Sequence, residues 1–314
     1  MKMNRKTGRI EPIESLNEIH RFLPELQRDV AIKFLSLSNV GSSEVTQRDW
    51  VEIAETVEQL YDEYEGFVVV HGTNTMSYTA AALSFALQGL SKPIVLTGAL
   101  LPINDIAGDG RMNLVSAIRA AQLDIAEVCV ALGSRVLRGC RVKKVDQSLF
   151  QTFDTTRIAP LAEFNVGVHL GEHRLVRRKR QLVCKPTFDP NVAMVTLHPA
   201  LEMQFLDAIL QTKPHGIVMR AYGPGMLPER LFPWLRKVTD QGIPIVMMSQ
   251  TIRGRVDLHH FRKQITLEQF GVVSGKDMTL ECALVKLMWA LTQTDNPHKL
   301  REIMERSLVG ELEE

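Results

Sequence analysis

Along most of this chain, short apolar runs that stop on small polar residues alternate with amphipathic stretches. The clearest case is Gly66 to Gly110. Phe67-Val68-Val69-Val70 is a continuous apolar run rich in β-branched residues, the pattern of a strand buried on both faces. It closes on His71-Gly72-Thr73-Asn74-Thr75, and Ala80 to Leu87 then reads as a helix that is apolar all round. Pro93-Ile94-Val95-Leu96 is a second buried strand, closing on Thr97-Gly98-Ala99. Together these make a strand–helix–strand crossover of about thirty residues. In open α/β sheets chemistry gathers outside the carboxyl ends of the strands, where both polar stops fall.

The same alternation extends to either side. Upstream, Leu16 to Leu26 has helical spacing, Ala31 to Leu35 is a strand candidate, and Ser36 to Ser43 is a polar loop. Thr46 is placed to cap a helix through Tyr61, with Trp50, Ile53, Ala54, Val57 and Leu60 as its apolar stripe. Downstream come a helix over Asn113 to Gln122, a strand over Val128 to Leu132, and a basic-faced strand over Val136 to Lys144. Beyond residue 191, Val192 to Leu197, Gly216 to Met219 and Ile243 to Met248 read as strands. Leu201 to Leu210, Pro228 to Asp240, Met278 to Leu291 and Pro297 to Ser307 read as helices. Repeated β/α alternation in both halves predicts an α/β fold with parallel sheets. We therefore expect an N-terminal α/β domain over 1–170, a linker over 171–191 and a smaller C-terminal α/β domain over 192–314.

Composition narrows the partners. The 314 residues are 45% hydrophobic and 23% charged, with a formal net charge of +1. That balance does not argue for nucleic acid or an anionic membrane, and neither is expected as a partner. Arg174 to Arg180 is the densest cationic run, and in a near-neutral chain it reads as a solvated hairpin or linker. No apolar run reaches the ~18 residues of a membrane helix, and the basic N-terminus lacks the apolar core of a signal peptide. Cys129, Cys140, Cys184 and Cys282 have no metal-ligand spacing, which suits reduced thiols in a cytoplasmic protein.

The quoted stretches resemble the L-asparaginase family, in its cytoplasmic type I branch. HGTNTMSYTAAALSF is similar to the family's second catalytic block, G-T-D-T, and SKPIVLTGALLPINDIAGDGRMNL to its lysine strand and following loop. Asn39-Val40-Gly41-Ser42-Ser43 resembles the block whose serine holds the substrate carboxylate. Arg220 to Gly225, Gly275 to Thr279 and Gly310-Glu311-Leu312 resemble further type I blocks, in family order. The resemblance implies a two-domain α/β homodimer or homotetramer that hydrolyses asparagine to aspartate and ammonia through a threonine acyl-enzyme. It implies no cofactor and no metal, and a small asparagine-like amide as substrate. Carried over residue by residue, Thr73 stands for the second catalytic threonine and Lys92 for the lysine that serves as its base. Ser42, Ser43, Thr73 and Asn74 then line the substrate site. His71 has no implied role and reads as a hydrogen-bonded structural residue.

Two departures qualify that carry-over. Asn74 stands where the family has an aspartate, which supports the lysine and pairs with the substrate's α-ammonium. Losing that charge is worth about 1–3 kcal/mol in binding or lysine activation. The family's T-G-G-T nucleophile block occurs nowhere in the sequence, and Gly8-Arg9-Ile10-Glu11-Pro12 stands where the hairpin after it would fall. The expectation is that a T-G-G-T strand precedes Met1 in the natural protein, and that the chain as given is an impaired or incomplete asparaginase. The alternative is a catalytically inactive homologue that binds a small molecule or a partner. A weaker third reading keeps the enzyme and changes the amide, because Asn74 tolerates a substrate without an α-ammonium.

Overall fold

The computed structural model describes residues 2–4, 6–11, 13, 15–24, 30–155, 157–259 and 262–313. Within it the chain forms two compact units, one of residues 1–83 and 87–184, the other of 84–86 and 185–314.

The first unit opens with a short ribbon of β1 (Lys2–Met3) and β2 (Ile10–Glu11), then α1 (Leu16–Phe22). Leu26, the expected end of that helix, lies outside the described residues. Helix α2 (Gln47–Gln59) starts where Thr46 predicts it. The Asp49 carboxylate accepts from the Thr46 backbone N–H (2.7 Å) and hydroxyl (2.8 Å), and Trp50, Ala54 and Val57 are buried. The crossover follows as β3 (Phe67–Val70), α3 (Met76–Ala86), β4 (Leu87–Gln88) and β5 (Ile94–Thr97). Helix α3 is buried along nearly its whole length, as a helix without a polar face must be. Next come α4 (Gly110–Ala120), β6 (Val128–Leu132), β7 (Arg135–Arg138), β8 (Val142–Lys144), β9 (Phe153–Thr155), β10 (Ala162–Phe164), β11 (Val168–Leu170) and β12 (Val183–Cys184).

The main sheet runs β11-β10-β7-β6-β5-β3, with β3, β5 and β6 parallel and the remaining pairs antiparallel. Val95, Cys129 and Ala131 on the sheet pack with Ala117 and Ala120 of α4 in a core that includes Leu161 and Phe164. Each fully buried large apolar side chain there contributes about 1.5–3 kcal/mol.

Three expectations need correction. β3 is an edge strand, paired with β5 alone among the described residues, so Val70 is 63% exposed rather than buried on both faces. Ala31 to Leu35 forms no strand. Ile32 and Phe34 pack against the cluster of Ile19, Leu23, Ile103 and Ile118, so the alternation is met by packing without a ladder of hydrogen bonds. The Val136–Lys144 strand is broken by a single 3-10 turn at Gly139–Arg141. A Cβ on Gly139 would lie 2.8 Å from the Val128 carbonyl oxygen, so only glycine lets the chain turn there. The turn sends β8 into a separate ribbon with β9.

The cationic run is partly spent on structure. Arg177 donates to the Ala121 and Leu123 carbonyls and Arg174 to that of Asp124, capping the exit of α4, while Arg178, Lys179 and Arg180 stay exposed.

The second unit is a parallel sheet of β13 (Val192–Thr196), β14 (Gly216–Ala221), β15 (Ile245–Ser249) and β16 (Val273–Ser274) in that order. Its helices are α5 (Met203–Gln211), α6 (Phe232–Asp240), α7 (Arg262–Gln269), α8 (Leu280–Ala290) and α9 (Pro297–Glu305). Leu206, Trp234 and Leu235 meet Ile217, Met219 and Met247 in its core.

Candidate functional site

The site forms where β3 and β5 end. The His71 backbone N–H donates to the Thr97 carbonyl (2.8 Å), holding the two strand exits together. A Cβ on Gly98 would fall 2.1 Å from the His71 carbonyl oxygen, and one on Gly72 would fall 2.7 Å from the Ser42 side chain. These two glycines let three backbone segments converge. Behind the β5 exit, the buried Asp109 carboxylate accepts from the Leu100 and Leu101 N–H groups and from Asn113 Nδ2. Asn113 in turn donates to the Gly98 carbonyl and accepts from the Gly133 N–H. The buried side chains of Asp109 and Asn113 thereby tie the loop to the β5 exit through paired hydrogen bonds.

Thr73 and Asn74 sit in the turn that starts α3. Thr73 is buried and Asn74 is exposed. Ser42, on a single 3-10 turn, accepts the Asn74 backbone N–H at its hydroxyl (3.3 Å) and the Thr75 hydroxyl at its carbonyl (2.7 Å). Ser43 is exposed, with its hydroxyl donating to the Glu44 carboxylate (3.5 Å), and among the described residues it makes no hydrogen bond with Thr73.

The lysine beside Thr73 is Lys144, not Lys92. Lys144 Nζ donates to Thr73 Oγ1 (2.9 Å) and to Asn74 Oδ1 (2.7 Å). Lys92 instead donates to the Tyr61 and Tyr64 carbonyls (2.6 Å each) and lies over the Tyr61 ring. Lys92 precedes β5, whereas the site lies beyond its carboxyl end. Crossing the strand at about 3.3 Å per residue exceeds the reach of a lysine side chain. Lys144 is hidden in the sequence because Val136 to Lys144 reads as one straight strand, whereas the chain turns at Gly139–Arg141. A lysine at the end of a strand leaving the sheet was the available signal. Burial pulls the Lys144 pKa below the ordinary lysine value, which favours a neutral amine able to take a proton.

His71 closes a one-directional chain of hydrogen bonds. Its Nδ1 faces the Gly72 carbonyl (2.7 Å), an acceptor only, so Nδ1 carries the proton and Nε2 accepts. The Thr79 hydroxyl donates to Nε2 (3.0 Å) and accepts from Trp50 Nε1 (3.0 Å). Burial holds the imidazole below its ordinary pKa, against the opposing pull of the Gly72 carbonyl and the Asp49 carboxylate. Among the described residues no group of three or more His, Cys, Asp or Glu side chains is arranged to hold a metal.

Fold and site define a class: a two-unit α/β protein with a buried threonine and a half-buried lysine paired at a strand-to-helix turn. Comparison with known proteins makes that class specific. A family model described as "Asparaginase, N-terminal" matches residues 1–175, and one described as "Glutaminase/Asparaginase C-terminal domain" matches residues 191–304. The chain belongs to the asparaginase family, and in class it is an asparaginase-type amidohydrolase. It is 33% identical over 299 residues to L-asparaginase 1 of Escherichia coli strain K12, covering 94% of this chain and 87% of that protein. It is 36% identical over 260 residues to an L-asparaginase of Dirofilaria immitis, covering 81% of this chain and 44% of that longer protein. The solved thermostable L-asparaginase from Thermococcus kodakarensis superposes with a TM-score of 0.89 at 33% identity, covering 96% of this chain and 92% of that one. The fold is thus the two-domain asparaginase fold. No helix among the described residues is long and apolar enough to cross a membrane.

Proposed function

We propose that the protein hydrolyses the side-chain amide of L-asparagine to aspartate and ammonia through a threonine acyl-enzyme. Thr73 and Lys144 form its proton relay. The observation that carries this reading is the 2.9 Å contact between Thr73 Oγ1 and a lysine whose pKa burial lowers. As the attacking threonine hydroxyl, which the T-G-G-T block supplies in the family, bonds to the amide carbon, its proton passes to Thr73 while the Thr73 proton passes to neutral Lys144. The C–N bond then breaks, and the proton held by Lys144 returns through Thr73 to the leaving nitrogen, which departs as ammonia. Water repeats the cycle on the acyl-enzyme. Ser42, fixed against Asn74, is the substrate-side hydroxyl in this scheme.

An ammonia-release assay with asparagine tests the reading. Activity lost in Thr73→Ala supports it, and no release above background from folded wild type ends it. The same reading makes the protein a cytoplasmic homodimer or homotetramer. Its four free thiols suit a reducing compartment, and light scattering on the purified protein checks the assembly.

A second reading is an inactive homologue that binds a small molecule. It is favoured by the lack of any T-G-G-T in the sequence and by the neutral amide of Asn74 beside the lysine. Saturable heat on titrating a dicarboxylate, without turnover of any amide, would select it.

A further inference from the structure

Around the Thr73–Lys144 pair the polar groups are set to donate hydrogen bonds. Lys144 Nζ donates to the Asn74 carbonyl oxygen across 2.7 Å. With Oδ1 engaged there, the exposed amide Nδ2 keeps both of its N–H donors, and among the described residues neither is taken. Lys144 itself has no carboxylate partner among the described residues, only Thr73 and Asn74. Two acidic groups, one behind the β5 exit and one two residues past Lys144, are already engaged by backbone N–H groups. Asp109 is bound by the Leu100 and Leu101 N–H groups, and Asp146 by those of Ser148 and Leu149.

From this we infer that Asn74 is a specificity-determining residue that tunes the site to a monoanionic amide, a dicarboxylic acid monoamide with no ammonium group. The inference rests on the amide-hydrolysis reading and shifts the preferred substrate from asparagine to the corresponding monoamide without the ammonium. An ammonium brought beside Asn74 meets amide N–H donors with no carboxylate to compensate, a mismatch that selects against it. A carboxylate oxygen meets donors from Asn74 Nδ2 and from the Ser42 hydroxyl, which already accepts the Asn74 backbone N–H. A site that leaves polar groups paired for one ligand and opposed for another discriminates more strongly than one that differs only in size.

The test separates this inference from hydrolysis itself. Titration calorimetry on the full chain uses succinate and L-aspartate as probes, and steady-state assays compare kcat/KM for succinamate and asparagine. Succinate is expected to bind at least about tenfold more tightly than aspartate, with the kcat/KM ratio following in the same direction. Asn74→Asp is expected to reverse the order. Should that variant not fold, Asn74→Ser keeps an acceptor for Lys144 without the amide donors, and the preference for succinate should fall. Aspartate binding as well as succinate overturns the inference, as does an unchanged order in a folded variant or no binding of either probe. If the calorimetric order holds while neither amide releases ammonia, the hydrolysis reading fails and the role of Asn74 stands.

Discussion

Lys144 Nζ donates to Thr73 Oγ1 across 2.9 Å although 71 positions separate the two residues. The pairing depends on the break at Gly139–Arg141, which turns the end of the basic segment away from the main sheet. Replacing Lys144 with methionine keeps most of the side-chain volume and removes the proton acceptor. We expect kcat to fall by about 10²–10⁴ with a smaller change in KM. Lys92→Met should leave kcat unchanged and cost about 1–3 kcal/mol of stability, because the Tyr61 and Tyr64 carbonyls lose their donor. Ammonia-release kinetics and urea melts on both variants check this. A loss of kcat in the Lys92 variant alone would return the base to that residue.

The lowered Lys144 pKa sets a pH dependence. Lys144 acts as a base only when neutral, so kcat/KM should rise with pH along a limb lying below the ordinary lysine value of about 10.4. Asn74→Asp puts a carboxylate against the ammonium and favours its charged form. The limb should then move up by about 1–3 pH units. A pH profile of both proteins decides it, and a limb indifferent to the substitution would mean that another group titrates there.

How far the sequence reached depended on which contacts are local. The β3–α3–β5 crossover and the capped start of α2 were legible because strand runs, polar stops and the Thr46/Asp49 cap are fixed within a few residues of one another. The place of Thr73 and Asn74 in the turn between β3 and α3 was legible for the same reason. Lys144 was not, because its place depends on a turn permitted by the approach of Gly139 to Val128, a contact between strands. Ala31 to Leu35 misled in the opposite way. Its alternation records packing of Ile32 and Phe34, and alternation carries no information about whether a neighbouring strand is present.

The Trp50–Thr79–His71 chain ties helices α2 and α3 to the β3 exit. Thr79→Val keeps the shape and removes both the acceptor of the Trp50 Nε1 hydrogen bond and the donor to His71 Nε2, which should cost about 1–3 kcal/mol. The folded His71 pKa lies below the unfolded value of about 6.5. Between those two values the unfolded chain holds a proton that the folded chain lacks, so this residue's contribution to stability is present at neutral pH and is lost as pH falls below about 6.5. Thermal melts from neutral to mildly acidic pH should therefore show a steeper decline for wild type than for His71→Gln. Parallel curves would assign the acid sensitivity to other groups.

The second unit contains a fully buried ion pair whose energetics can be tested apart from activity. Lys286 Nζ meets Glu311 Oε1 at 2.5 Å, both side chains are wholly buried, and Lys286 also donates to the Met304 and Arg306 carbonyls. Glu311 accepts the N–H groups of Leu308 and Val309, so the pair pins the last turn of chain to helix α8. Burial of a charge is compensated only while its partner is present. Glu311→Gln and Lys286→Met should each cost about 3–5 kcal/mol, since each strands the remaining charge. The double variant strands no charge, so its loss should fall short of the sum by about 0.5–3 kcal/mol. Urea denaturation of the four proteins in this cycle gives the coupling directly. Additive losses would mean that packing, rather than the charge pair, holds the end of the chain in place.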